Sequence, residues 1–112
     1  MQQESKGEII IYCTAGGTAG LEVKLQDETI WLNQTQMAEL FGRDRTVITK
    51  HLHNIFENKE LDEKSNVQKM HIPFSDKPVI YYNLDIIISV GYRVNSKRGT
   101  QFRIWATQVS FN

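Results

Sequence analysis

Arg45, Thr46, Thr49, Lys50 and His53 are spaced to share one face of a single helix. Their chemistry suits a polynucleotide. Cations meet phosphates, while guanidinium, ammonium, hydroxyl and imidazole groups meet base edges. Ile48 and Leu52, four residues apart, lie on another face of the same helix and can anchor it on a core. Asp44 is the expected N-cap, and Val47, Ile48, Leu52, Ile55 and Phe56 form the apolar stripe. Just upstream, Asn33 or Thr35 can cap a shorter helix with Met37, Leu40 and Phe41 turned inward. Ala38 is small enough for two helices to approach, and Gly42 sits where a tight turn needs positive φ. Residues 33–54, NQTQMAELFGRDRTVITKHLHN, therefore have the outline of a helix-turn-helix. Gln34 also falls where that motif wants it, and Asp44 to Phe56 is the helix for the major groove. Arg43 stands where the motif is usually apolar, and with Asn54 it is assigned to nucleic-acid backbone.

The elements that would position this pair begin at the amino-terminal end. Met1 to Gly7 is polar and expected to be loose. Ile9 to Tyr12 is β-rich, AGGTAG at 15–20 reads as a turn or loop, and Leu21, Val23 and Leu25 alternate with polar residues as in a half-buried strand. Asp27-Glu28 connects to a third strand, Ile30 to Leu32, which predicts an antiparallel meander. Beyond the helix pair, Asn58 to Asn66 reads as a solvated, charged connector. Val67 to Pro73 and Val79 to Tyr82 are β-prone on either side of Ser75-Asp76-Lys77-Pro78, a hairpin and candidate wing whose tip offers Lys77 to a phosphate. Asn83 or Asp85 can cap a helix carrying Leu84, Ile87, Ile88 and Val90, with Gly91 as its end. Ser96 can cap a last helix holding Phe102, Ile104, Trp105 and Val109.

A second cationic stretch contains Arg93, Asn95, Lys97, Arg98, Thr100 and Arg103, with Gly99 read as a turn. Lys97 and Arg98 are the candidates there for sequence-independent phosphate contact.

Composition narrows the alternatives. Lys and Arg number 13 and Asp and Glu 13, so any nucleic-acid contact rests on a locally basic face and not on net charge. No apolar run approaches the length of a membrane helix, and no secretory leader is visible, so a cytoplasmic location is expected. Cys13 is the only cysteine, which excludes an intramolecular disulfide; in a strand it is expected to be buried and inert. His51 and His53, two apart on a helix, point to different faces, and Cys13 does not complete a zinc set. AGGTAG lacks the Lys-Ser/Thr of a phosphate-binding loop, and no nucleophile–base pair is visible. Neither an enzyme nor a cofactor or metal is expected.

Three long words carry a family resemblance: WLNQTQMAELFGRDRTVITKHLHNIF (31–56), LDEKSNVQKMHIPFSDKP (61–78) and VIYYNLDIIISVGYRVNSKRGTQFRIWATQV (79–109). They closely resemble the RhuM family of bacterial proteins. A more distant similarity, through Phe102, Arg103, Ile104 and Trp105, is to phage antirepressor amino-terminal domains of the Bro-N type. The resemblance implies a helix-turn-helix DNA-binding domain, often followed by further domains, in a virulence-associated protein. Family members usually run further, and Ser110-Phe111-Asn112 departs from their helical continuation, so the chain reads as an amino-terminal domain or a shortened copy.

These observations predict one α+β domain of winged helix-turn-helix type, with a β-rich extension at 8–32 and the helix pair, hairpin and final helices at 33–109. The expected partner is double-stranded DNA, a homodimer is expected because palindromic sites match two-fold symmetry, and no membrane partner is expected. The alternative is a protein-interaction or oligomerisation module using the strands and the last two helices.

Overall fold

The computed structural model describes residues 8–13, 20–71 and 74–110. The expectations for Met1 to Gly7, for most of AGGTAG, for Pro73 and for Phe111-Asn112 lie outside the described residues. Strands β1 (Glu8–Cys13), β2 (Gly20–Gln26) and β3 (Thr29–Leu32) form the expected meander. The turn between β2 and β3 places both Asp27 (φ 55°) and Glu28 (φ 64°) in the left-handed region, the backbone that a two-residue hairpin of matching twist requires. Helices α1 (Gln34–Phe41) and α2 (Arg45–Glu57) follow, then a single turn α3 (Glu63–Asn66), strands β4 (Val67–Met70) and β5 (Val79–Asn83), and helices α4 (Leu84–Val94) and α5 (Lys97–Ser110).

The fold is α+β, built on a five-stranded antiparallel sheet in the order β1-β2-β3-β5-β4. Trp31 pairs with Asn83 and Leu32 with Tyr82, so the amino-terminal strands are continuous with the later hairpin and are not an appendage to it. Strand alternation sorts the side chains. Tyr12, Leu21, Val23, Ile30, Leu32 and Tyr82 join the main core with the helices, while Trp31, Tyr81, Met70 and Val79 form a smaller cluster on the opposite face.

Several local expectations change. The connector after α2 contains a helical turn, because the Asp62 carboxylate caps Ser65 N–H (2.9 Å). Gly91 does not end α4, which runs to Val94 and stops at left-handed Asn95. Gly99 is no turn either: it lies in the first turns of α5, begun by Ser96, whose Oγ accepts from Arg98 N–H (3.1 Å). Both glycines serve a close approach. A Cβ on Gly91 would lie 3.3 Å from Phe41 Cε1, and one on Gly99 would lie 3.0 Å from it. Phe102 and Ala106 carry α5 onto the core, but Ile104 faces solvent. Cys13, on the outward side of an edge strand, is exposed and not buried.

Met37, Leu40 and Phe41 of α1 and Ile48, Leu52 and Ile55 of α2 are buried as expected, with Val47 and Phe56 packed at the margin. Ile48 is fully enclosed. Ile48→Ala is expected to cost about 2–5 kcal/mol by transfer and cavity terms together, measured by urea unfolding. Ile104→Ala, at an exposed position, is the control and should leave the midpoint near wild type.

Candidate nucleic-acid interface

Both helices of the pair are fixed at their ends. Asn33 Oδ1 accepts from Gln36 N–H (2.8 Å) and Gln36 Oε1 from Asn33 N–H (2.9 Å), a reciprocal capping box. Left-handed Gly42 (φ 66°) closes α1, and Arg43 N–H returns to Ala38 O (3.0 Å). Asp44 caps α2 through Thr46 N–H (3.0 Å) and the Thr46 hydroxyl, and these two bonds hold its carboxyl below the usual range. At the far end left-handed Lys59 (φ 57°) turns the chain, and Glu60 N–H reaches back to Ile55 O (3.0 Å).

This frame exposes Arg45, Thr46, Thr49, Lys50 and His53 together, while Ile48, Leu52 and Ile55 face the core. The five are not equivalent. The Thr46 hydroxyl belongs to the Asp44 cap. The Thr49 hydroxyl donates to Gln34 Oε1 (2.5 Å), and Gln34 Nε2 donates to Tyr82 OH (3.0 Å). Gln34 therefore ties α2 to α1 and to β5. His53 Nε2 lies 3.7 Å from a Glu57 carboxylate oxygen, both well exposed. Arg45 and Lys50 have no such engagement among the described residues. The face thus offers two long cations beside two hydroxyls already in use.

The other candidates divide. Arg43 Nη2 donates to Val94 O (3.0 Å), capping α4, so its guanidinium is partly spent inside the protein. Arg98 lies over the same turn, its Nη1 3.1 Å from where a Cβ of Gly42 would be. Asn54 is half-buried. Lys77 stands apart in the β4–β5 turn, its N–H on Ser75 Oγ (3.3 Å). The base of that hairpin does approach the helix pair: Pro78, Val79 and Ile80 line one groove with Asn33, Thr35 and Arg45. Lys97 is exposed at the start of α5.

Most of the remaining second cationic stretch is engaged within the protein. Arg93 Nη2 and Ser89 Oγ both donate to the Glu60 carboxylate (2.6 Å each), which lowers the Glu60 pKa and joins the end of α2 to α4. Arg103 Nη1 donates to Tyr92 OH (2.7 Å) and stacks over its ring. Asn95 forms the α4 cap. Glu60, Ser89 and Tyr82 escaped sequence reasoning because their partners lie 29, 33 and 48 residues away. Glu60 also sits in a run of charges that looks solvated.

His51 faces the α2–α4 joint with Nδ1 buried and unpartnered, as is Arg93 Nε. Burial, then the charges of Arg93, Lys50 and Arg43, lower its pKa from 6.5. The unfolded chain therefore takes up this proton first, so stability is held above about pH 6.5 and declines as pH falls below it. The expected outcome is a melting temperature that drops from about pH 7.5 to about 5.5 and a flatter profile in His51→Gln, followed by calorimetry.

Among the described residues no three His, Cys, Asp or Glu side chains gather as a metal site, and no helix is long and apolar enough to cross a membrane. A family model described as "Virulence protein RhuM family" matches residues 46–111, from the second residue of α2 through α5. That stretch includes the polar face from Thr46 onward and leaves out β1 to β3 and α1. No curated protein and no solved structure matches the chain.

Proposed function

The chain belongs to the Virulence protein RhuM family, and we propose that it binds double-stranded DNA with sequence selectivity as a winged helix-turn-helix. Helix α2 enters the major groove and the β4–β5 hairpin serves as the wing. The observation that carries this reading is the exposed Arg45–Lys50–His53 face on a helix clamped at both ends and braced through Gln34. A helix that presents cations without being free to swing can keep register on a duplex, which base readout requires.

Arg45 and Lys50 are the base-reading candidates, since they alone of the face carry long donors free of internal bonds among the described residues. Thr46, Thr49 and His53 border them. Arg98, Lys97, Lys77 and the outer nitrogens of Arg43 supply phosphate contacts, and Asn54 supplies at most a marginal one. Such a protein would act in the cytoplasm on transcription or on a mobile element, without catalysis of its own. A second reading, a protein-interaction module, is favoured by the exposed Tyr92 and Ile104 on the last two helices. Salt separates the two, because phosphate contacts weaken steeply with ionic strength and apolar contacts do not.

The test is selection from random duplexes followed by salt titration of the enriched sequences. Arg45→Ala and Lys50→Ala are each expected to cost about 1–3 kcal/mol on the selected site with the circular dichroism spectrum unchanged. Unaltered affinity in both variants removes α2 from the reading role. Arg98→Ala should instead weaken preferred and scrambled duplexes about equally and reduce the log–log salt slope by roughly 0.9.

A further inference from the structure

Strand β1 ends the sheet, and among the described residues nothing pairs with its outer edge. Edge strands of soluble proteins are usually guarded by lysine, proline, a bulge or shortness. The other edge, β4, fits that rule: it has four residues, and its exposed positions are Gln68 and Lys69. β1 does not. It has six residues, EIIIYC, in unbroken register with β2, and its only charge is at its first position. Ile9 and Ile11 point to the outer face at 57% and 55% exposure, a poor use of two isoleucines on a lone edge.

We propose that β1 pairs antiparallel with β1 of a second copy, joining two sheets into one of ten strands about a two-fold axis through Ile10. Antiparallel partners directly opposite share a face. Ile10 then meets the partner's Ile10, Ile9 meets the partner's Ile11, and Glu8 meets the partner's Tyr12.

The charges on β2 select this register. Within each copy Ile9 lies opposite Lys24 and Ile11 opposite Glu22. Each row across the interface therefore reads Glu22, Ile11, Ile9, Lys24, with opposite charges at its ends. The two charged residues are about 14 Å apart at Cα, three strand spacings. Glu22 is exposed, and the Lys24 ammonium, which within one copy lies 5.8 Å from the Tyr81 ring centroid on the side away from β1, has to swing over the isoleucines to approach it. Moving the axis to Ile11 would put Glu22 opposite Glu22 at the ends of one row, with like charges in place of unlike. The strand thus complements itself in hydrophobicity and in charge at one register. This pairing does not depend on DNA binding.

Sedimentation equilibrium of the full chain under reductant, which keeps exposed Cys13 from cross-linking, tests it. Wild type is expected to dimerise with concentration. Ile11→Lys should raise the dimer dissociation constant about tenfold or more, because two-fold symmetry introduces each change twice. Glu22→Lys, at an exposed position that need not disturb folding, should weaken the dimer, and adding Lys24→Glu should restore it. A wild type that stays monomeric at every concentration overturns the proposal. So does a dimer indifferent to both Ile11→Lys and Glu22→Lys, which would place the interface elsewhere. A dimer broken by Ile11→Lys but unmoved by the charge swap overturns the register.

Discussion

The arrangement hangs on one crowded crossing, where the Phe41 ring sits against two glycines. Gly91 of α4 and Gly99 of α5 lack the Cβ atoms that would meet that ring at 3.3 and 3.0 Å. Their absence lets α1, α4 and α5 converge on a single buried aromatic. From this point α5 extends under β1, where Phe102 and Trp105 meet Tyr12 with ring centroids 5.1 and 4.8 Å away. α4 ends where Val94 O receives Arg43 from the α1–α2 turn. The position of α2 is thereby tied to helices distant in sequence, and a methyl group at either glycine would press on the Phe41 ring, which would have to give by a few tenths of an ångström.

Polar groups complete what packing begins. Glu60 gathers Ser89 and Arg93, so the end of α2 is held to α4. Asn66 Oδ1 accepts from Asn83 Nδ2 (2.8 Å), linking the small helix α3 to the residue that caps α4. Gln34 spans Thr49 and Tyr82 and orients the beginning of α1 against the middle of α2. The polar face of α2 is therefore the exposed side of a braced element, and hydroxyls that looked available for a ligand are partly absorbed in the bracing.

What was legible in the sequence follows from range. Asn33, Gly42 and Asp44 act through bonds to neighbours within a few residues, and the periodicity of Ile48, Leu52 and Ile55 needs only the helix itself. These features and the strand meander could be read directly. The roles of Gly91 and Gly99 could not, because a glycine that ends a helix and one that admits a neighbour are identical until the neighbour is known. Arg93 and Arg103 illustrate the same limit for charge: their partners, Glu60 and Tyr92, are set by tertiary packing. The exposure of Cys13 depended on its strand being an edge, and strand order is not written in alternation.

The join between β3 and β5 bears on how the chain reaches this structure. Leu32 and Tyr82, fifty positions apart, are adjacent in the sheet, with α1, α2, α3 and β4 in between. The meander and the β4–β5 hairpin each form by local closure, but neither sheet fragment completes the shared core until this long loop closes. Its entropic cost falls before the contacts that offset it, so this step is expected to govern the folding rate. The helix pair lies wholly inside that loop. Its final geometry is therefore among the last things the chain acquires, and a chain arrested before this pairing would hold the α2 sequence without the scaffold that aims it.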